Sequence, residues 1–153
     1  MNIKIGMISL GCPKNRVDAE MMLHALKEYG YEITPNESDA DVIIVNTCGF
    51  IEDAKRESIE TIVETAKLKT DGNLKAIIVT GCMAERYRDE ILKELPEVDA
   101  VVGIGKNGEI AQIINSALKK HGQGFYAEKT CLDINAERFL TTPSYTAYLK
   151  IAE

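Results

Sequence analysis

Three of the four cysteines in this 153-residue chain share one local pattern, because each closely follows a short apolar run and has a glycine beside it. They are Cys12, Cys48 and Cys82, and the neighbouring glycines are Gly11, Gly49 and Gly81. Cys48 comes 36 residues after Cys12, and Cys82 comes 34 residues after Cys48, about the length of one β-strand plus one α-helix. If the apolar runs form adjacent parallel strands, all three thiols emerge at one edge of a sheet. Thiolates are soft ligands, which select iron–sulfur clusters, zinc or Cu(I).

The hydrophobic pattern along the chain alternates between strand and helix. It predicts strands over 3–9, 41–46, 76–80 and 98–102, a possible short strand over 124–127, and helices over 15–29, 51–68, 84–95 and 109–120. This alternation predicts a doubly wound, mostly parallel α/β sheet of four or five strands, a flavodoxin-like three-layer α/β/α fold. In the common order for such sheets the first strand lies between the second and the third. The three cysteine loops are then neighbours at the carboxyl ends of adjacent strands.

Composition and charge limit the cellular location and the binding partners that we expect for this chain. It is 45% hydrophobic and 27% charged, and no apolar run approaches the ~20 residues of a membrane span. Residues 1–4 lead straight into a strand, so we expect a cytoplasmic, reducing location without membrane association, where cysteines are thiols or metal ligands. The net charge of −6 argues against direct nucleic-acid binding by this domain. Residues 1–135 are predicted to form one domain, and residues 136–153 a linker and the first strand of a missing domain.

The surroundings of the three cysteines favour metal binding, although free cysteines are often simply buried in cores. Each is predicted to begin the turn into a helix, where the positive end of the helix dipole favours the thiolate. Structural zinc usually takes four ligands in close pairs, but the chain has no C-x-x-C pair, and neither His24 nor His121 falls near the cysteines. Three cysteines without a fourth ligand fit a cubane iron–sulfur cluster with one open iron. Cys131 belongs to no comparable turn and is interpreted as a free thiol.

A second motif offers a different function. Residues 103–108 match the G-x-G-x-x-G pattern of dinucleotide-binding turns, with Glu128 at about the position of a ribose-binding acid. The motif follows the fourth strand, and only one weak strand comes after it. A tight structural turn is therefore the favoured interpretation, and a nucleotide-binding α/β module is the alternative. A zinc-bearing interaction domain that docks on a basic protein is a third possibility.

Three motifs carry a resemblance to a known family. Residues 9–15 (Ser-Leu-Gly-Cys-Pro-Lys-Asn), 46–51 (Asn-Thr-Cys-Gly-Phe-Ile) and 80–87 (Thr-Gly-Cys-Met-Ala-Glu-Arg-Tyr) resemble the amino-terminal domain of the radical S-adenosylmethionine methylthiotransferases. The Pro13-Lys14 pair and the Gly49–Ile51 tripeptide favour the branch that modifies ribosomal protein S twelve over the tRNA-modifying branch.

The resemblance implies that Cys12, Cys48 and Cys82 ligate an auxiliary 4Fe–4S cluster through three irons. It also implies a second domain whose C-x-x-x-C-x-x-C motif binds another 4Fe–4S cluster and S-adenosylmethionine. The full enzyme would then add a methylthio group to the β-carbon of an aspartate in ribosomal protein S twelve. Since the C-x-x-x-C-x-x-C motif is missing here, the chain alone is not expected to turn over.

Overall fold

A computed structural model of the protein describes residues 2–127 and 137–149, and its centre is a six-stranded parallel sheet. The strands are β1 (Lys4–Ser9), β2 (Glu32–Ile33), β3 (Val42–Thr47), β4 (Ala76–Gly81), β5 (Ala100–Val102) and β6 (Gln123–Phe125). They lie in the order β2-β1-β3-β4-β5-β6, and every neighbouring pair is parallel. The predicted parallel α/β fold is confirmed, with one strand more than the upper prediction.

Helices cover both faces of the sheet. They are α1 (Pro13–Glu28), α2 (Glu52–Asp71), α3 (Cys82–Tyr87), α4 (Asp89–Glu94) and α5 (Ile110–Ala117), with 3-10 turns at Glu37–Asp39 and Ile104–Glu109. One core layer joins α1 and α5 to the sheet, and the other joins α2, α3 and α4 to its opposite face. Strands β3 and β4 are buried along their whole length, as expected of central strands covered on both sides. None of the helices in the described ranges is long and apolar enough to cross a membrane.

The strand order differs from the expected one because the sequence pattern missed β2. This two-residue strand pairs with the outer side of β1, so the strand predicted over 41–46 lies between β1 and β4. The expectation that the first strand touches the strand over 76–80 is therefore wrong. The three strands that precede the cysteines are nevertheless adjacent, as predicted. The helix predicted over 84–95 is divided at Arg88, whose φ of 39° interrupts the helical backbone.

The chain after residue 136 returns to the surface of α1. Glu20 is fully buried, and its Oε1 accepts hydrogen bonds from the N–H and the hydroxyl of Thr141, each at 2.9 Å. The N–H of Phe139 donates to the backbone carbonyl of Glu20, and His24 Nε2 lies 3.1 Å from a Glu137 carboxylate oxygen. Residues 137–141 thus pack against the domain. The boundary at 135 and the strand expected at the chain's end stay predictions, and Glu128 and Cys131 lie outside the described residues.

Asp41 joins three strands at the amino edge of the sheet. Its side chain accepts a hydrogen bond from the N–H of Lys4 at 2.9 Å and forms an ion pair with Lys75 at 2.8 Å. Its backbone N–H donates to the carbonyl of Lys4, and its carbonyl accepts from the N–H of Lys75. Burial alone raises the pKa of Asp41, but the contacts with Lys4 and Lys75 outweigh it, so the pKa lies below its usual value.

We expect Asp41→Asn to reduce the free energy of unfolding at pH 7 by about 1–2 kcal/mol, because it weakens a charge-assisted contact between strands. The folded-state pKa of Asp41 is lowered, so its contribution is present above the unfolded-state pKa of about 4 and is lost as the pH falls through the folded-state value. Urea unfolding from pH 7 down to pH 2 should therefore show the two proteins converging in acid. Asp39→Asn, which changes an exposed carboxylate nearby, is the control and should cost less than about 0.5 kcal/mol. A constant difference across the pH range would contradict the assignment.

Candidate metal centre

The register of the sheet brings the three cysteine loops to one edge. Ser9 pairs with Asn46, and Thr47 pairs with Gly81. Cys48 and Cys82 therefore come directly after a pair of residues that lie side by side in β3 and β4. Cys12 lies three residues after Ser9, the last residue of the adjacent strand β1. Adjacent strands lie about 4.8 Å apart, so the three loops are direct neighbours.

The three cysteines differ in their local positions. Cys12 is the residue that precedes α1 and is exposed, whereas Cys82 is the first residue of α3 and is half-buried. Cys48 is also half-buried, but it lies in a loop four residues before α2 begins at Glu52. Each cysteine is predicted to begin the turn into a helix. Cys12 and Cys82 lie directly at the start of a helix, and Cys48 begins the loop that leads into α2. None of these three cysteines forms a disulfide.

Asn15, in the first turn of α1, contacts all three loops. It is 2% exposed, and its Nδ2 donates to the carbonyls of Leu10 at 3.1 Å and Thr47 at 2.9 Å. Its Oδ1 accepts from the thiol of Cys82 across 3.6 Å. Sequence analysis placed Asn15 in a motif but gave it no role. No local pattern signals this role, because Thr47 and Cys82 lie 32 and 67 residues away from Asn15 along the chain.

Ser58 fixes the loop of Cys48 to α2. This serine is fully buried, its hydroxyl accepts from the N–H of Cys48 at 3.2 Å, and it donates to the Cys48 carbonyl at 2.8 Å. Both backbone polar groups of Cys48 are satisfied by one side chain. Ser58 was not recognised from the sequence. A signal was present, since it lies four residues before Ile62 on the buried face of α2.

The glycines beside the cysteines allow close packing between neighbouring loops. A Cβ atom on Gly11 would lie 2.7 Å from Cys48 Cβ, and one on Gly49 would lie 3.0 Å from Met83 Cα. A Cβ on Gly81 would lie 2.3 Å from the carbonyl oxygen of Thr47. The lack of a side chain at each of these glycines therefore lets the neighbouring loops approach one another.

The electrostatic setting at the start of α1 is positive although the chain is acidic. The first turn contains Lys14 and Arg16 and has no acidic residue, and the helix dipole adds positive potential at the same end. Across residues 2–127 and 137–149, no three His, Cys, Asp or Glu side chains are close enough to coordinate one metal ion. The three cysteine loops are adjacent, but their thiols would have to lie closer together to bind one metal centre.

The glycine-rich turn at 103–108 is occupied by a side chain of the protein. Glu85 Oε2 accepts a hydrogen bond from the N–H of Ile104 at 2.8 Å, and it lies 2.7 Å from where a Cβ on Gly103 would stand. A carboxylate at this position competes with the phosphate that a nucleotide-binding turn would hold. The geometry favours a structural turn.

Both histidines contact residues other than the cysteines. His121 Nδ1 lies 2.5 Å from Asp99 Oδ1, and its Nε2 lies 2.8 Å from the carbonyl oxygen of Pro96. His24 contacts Glu137, as described above. These contacts agree with the expectation that neither histidine belongs to the cysteine site.

We expect Gly11→Ala to destabilise the protein more than Gly30→Ala does. The two glycines have nearly the same φ, +100° and +99°, so alanine at either position should cost about 1–2 kcal/mol in backbone strain. A Cβ on Gly30 meets nothing within 4 Å, whereas one on Gly11 collides with Cys48. Urea unfolding should therefore show a larger loss for Gly11→Ala, and the rate at which Cys48 reacts with a thiol reagent should change in that variant only. Equal losses and equal reactivity would show that the loops do not pack as described.

The chain is similar in sequence to a known protein family and to several named proteins. Residues 4–103 match the model of the "Uncharacterized protein family UPF0004". The chain is 55% identical over 150 residues to "Ribosomal protein uS12 methylthiotransferase RimO" from Thermoanaerobacter sp. (strain X514), with 97% of this chain and 34% of the relative covered. It is 53% identical over 154 residues to the protein of the same name from Pelotomaculum thermopropionicum, with 100% and 35% covered.

A third relative of that name, from Geobacter sulfurreducens, is 51% identical over 152 residues, with 98% of this chain and 34% of the relative covered. The chain therefore spans about a third of the length of the curated relatives it matches. The matched family segment includes all three cysteine loops. This chain belongs to the UPF0004 family, the amino-terminal domain of the methylthiotransferases.

Proposed function

We propose that Cys12, Cys48 and Cys82 hold an auxiliary 4Fe–4S cluster in a methylthiotransferase that modifies ribosomal protein uS12. The observation that carries the proposal is the position of the three thiols at the carboxyl ends of three adjacent parallel strands. The names of relatives that match nearly the whole chain at about half identity support the type of enzyme.

The donor set fits such a cluster better than it fits a structural zinc ion. The loop segments 10–12 and 48–51 contain no carboxylate and no histidine, so sulfur is the metal-binding atom that they offer. Soft sulfur ligands suit iron–sulfur clusters, and three of them leave one iron of a cubane without a protein ligand. A structural zinc ion would need a fourth ligand, and neither histidine is placed to supply it.

The protein's own groups would bind and orient the cluster. Asn15 and Ser58 hold the loops of the ligands by hydrogen bonds, and Gly11 allows the first two loops to touch. The start of α1, with Lys14 and Arg16, would place positive charge beside an anionic cluster. When bound, a cluster with one iron free of protein ligands supplies a coordination position for a sulfur-bearing group.

The remaining parts of the reaction would belong to the portion of the relatives that this chain does not cover. We assign to that portion the second 4Fe–4S cluster, S-adenosylmethionine and the contacts with uS12. The relatives' names favour uS12 over tRNA as the substrate. The Glu85 contact at the glycine-rich turn disfavours the alternative of a nucleotide-binding module.

Anaerobic reconstitution with iron and sulfide should give about four iron atoms per chain and a broad visible absorption from the cluster. Replacing Cys12, Cys48 or Cys82 with alanine should reduce the iron content severely, because each is one of only three ligands. Iron, zinc and sulfide analysis of the reconstituted protein measures this directly.

Cys131→Ala is the matched control, because it removes a cysteine outside the proposed ligand set. It should retain the iron content of the unmodified chain. Loss of iron in Cys131→Ala together with full retention in Cys48→Ala would show that the ligand set is wrongly assigned. Stoichiometric zinc in place of iron after anaerobic purification would favour the zinc-bearing alternative.

A further inference from the structure

We propose that Asn15 is a positioning residue that sets the spacing of the three cysteine loops. The proposal rests on the metal site proposed above for Cys12, Cys48 and Cys82. Asn15 is 2% exposed and lies three residues after Cys12, in the first turn of α1. A polar amide buried this deeply must find its hydrogen-bond partners inside the protein.

The partners of the Asn15 amide come from all three loops. Its Nδ2 donates to the carbonyl of Leu10, two residues before Cys12, and to the carbonyl of Thr47, directly before Cys48. In the metal-free chain its Oδ1 accepts from the protonated thiol of Cys82. The two N–H donors and the oxygen acceptor of the Asn15 amide are therefore all engaged. Each partner belongs to a different cysteine loop or to the end of the strand that precedes that loop. A metal-bound thiolate has no proton to donate, so the contacts with the two carbonyls are the ones that remain when metal binds.

These partners also fix the orientation of the amide. Exchanging the nitrogen and the oxygen would place Oδ1 against the carbonyl oxygens of Leu10 and Thr47, which are both acceptors. The planar group therefore has one satisfactory orientation, and that orientation turns Oδ1 towards Cys82. Movement of one loop away from the others would leave a buried polar group without its partner.

The backbone of Asn15 is held as firmly as its side chain. Asn46, on β3, donates from Nδ2 to the carbonyl of Asn15 at 2.6 Å. Gly11 lets the first loop come close to the second, since a Cβ there would lie 2.7 Å from Cys48 Cβ. The asparagine is thus tied to the sheet and ties the loops to one another. Groups outside the ligand shell that orient metal ligands typically change metal affinity 10–100-fold when removed.

The test uses Cd²⁺ as a probe of thiol spacing, because it binds thiolates without needing cluster assembly. The parent is the reduced 153-residue chain carrying Cys131→Ala. In this parent, Asn15→Leu should weaken Cd²⁺ binding about 10–100-fold. The ultraviolet absorption of the Cd–thiolate bonds measures the binding. Circular dichroism should remain that of the parent. Amide hydrogen exchange at Leu10, whose N–H donates to the carbonyl of Asn46, should become faster.

Thr65→Val is the matched control, because it removes a buried hydroxyl that bonds within α2 to the carbonyl of Thr61. Its Cd²⁺ affinity should equal that of the parent. Asn15→Ala is the second variant, since it removes the amide without adding a group that could bind Cd²⁺, and it should weaken binding as well.

Unchanged Cd²⁺ affinity in Asn15→Leu or Asn15→Ala would overturn the proposal. Failure of both Asn15 variants to fold while Thr65→Val folds would also overturn it, because Asn15 would then be required for the fold as a whole. A parent chain that binds Cd²⁺ in an Asn15-dependent way but takes up no iron would refute the cluster assignment and leave the positioning role intact.

Discussion

The parallel register of β1, β3 and β4 is the constraint on which the cysteine site depends. Backbone pairing places Ser9 beside Asn46 and Asn46 beside Thr80, so three distant segments of the chain leave the sheet at the same level. A slip of one residue would exchange the two faces of a strand. Because β3 and β4 are buried on both faces, such a slip would force the packing of both helical layers to change. Core packing therefore fixes where the thiols emerge.

Polar side chains secure these same three strands at both edges of the sheet. Asp41 bridges them at the amino edge through Lys4 and Lys75, and Asn15 bridges their loops at the carboxyl edge. Between these residues the strands are almost entirely apolar. The hydrophobic core provides most of the stabilisation but has little directional preference, whereas the two hydrogen-bonding residues fix the relative positions of the strand ends. The loops can then be held close without a disulfide.

Sequence patterns predicted the features that depend on repetition and missed those that depend on single contacts. The long apolar strands and the 36- and 34-residue spacings were sufficient to predict that three cysteine loops share one edge. The strand Glu32–Ile33 is too short to show any alternation, so it could not be recognised. Arg88 adopts a positive φ that no residue pattern signals. The role of Asn15 depends on the Thr47 carbonyl, 32 residues away, and that of Ser58 on the backbone of Cys48, which is 10 residues away. Only the folded chain brings these groups near.

The carboxyl edge contains two candidate ligand sites, the cysteine loops and the glycine-rich turn at 103–108, and α3 contacts both. This short helix begins at Cys82, and its fourth residue, Glu85, accepts the N–H of Ile104 in the glycine-rich turn. The same helix therefore presents a thiol to the cysteine loops and places a carboxylate where a nucleotide phosphate would lie. The spacing of the glycines at 103–108 could not distinguish a nucleotide-binding turn from a structural turn. The carboxylate that occupies the turn belongs to Glu85, which comes from another part of the chain. By this contact, the glycine-rich turn at the carboxyl edge is unfavourable to phosphate.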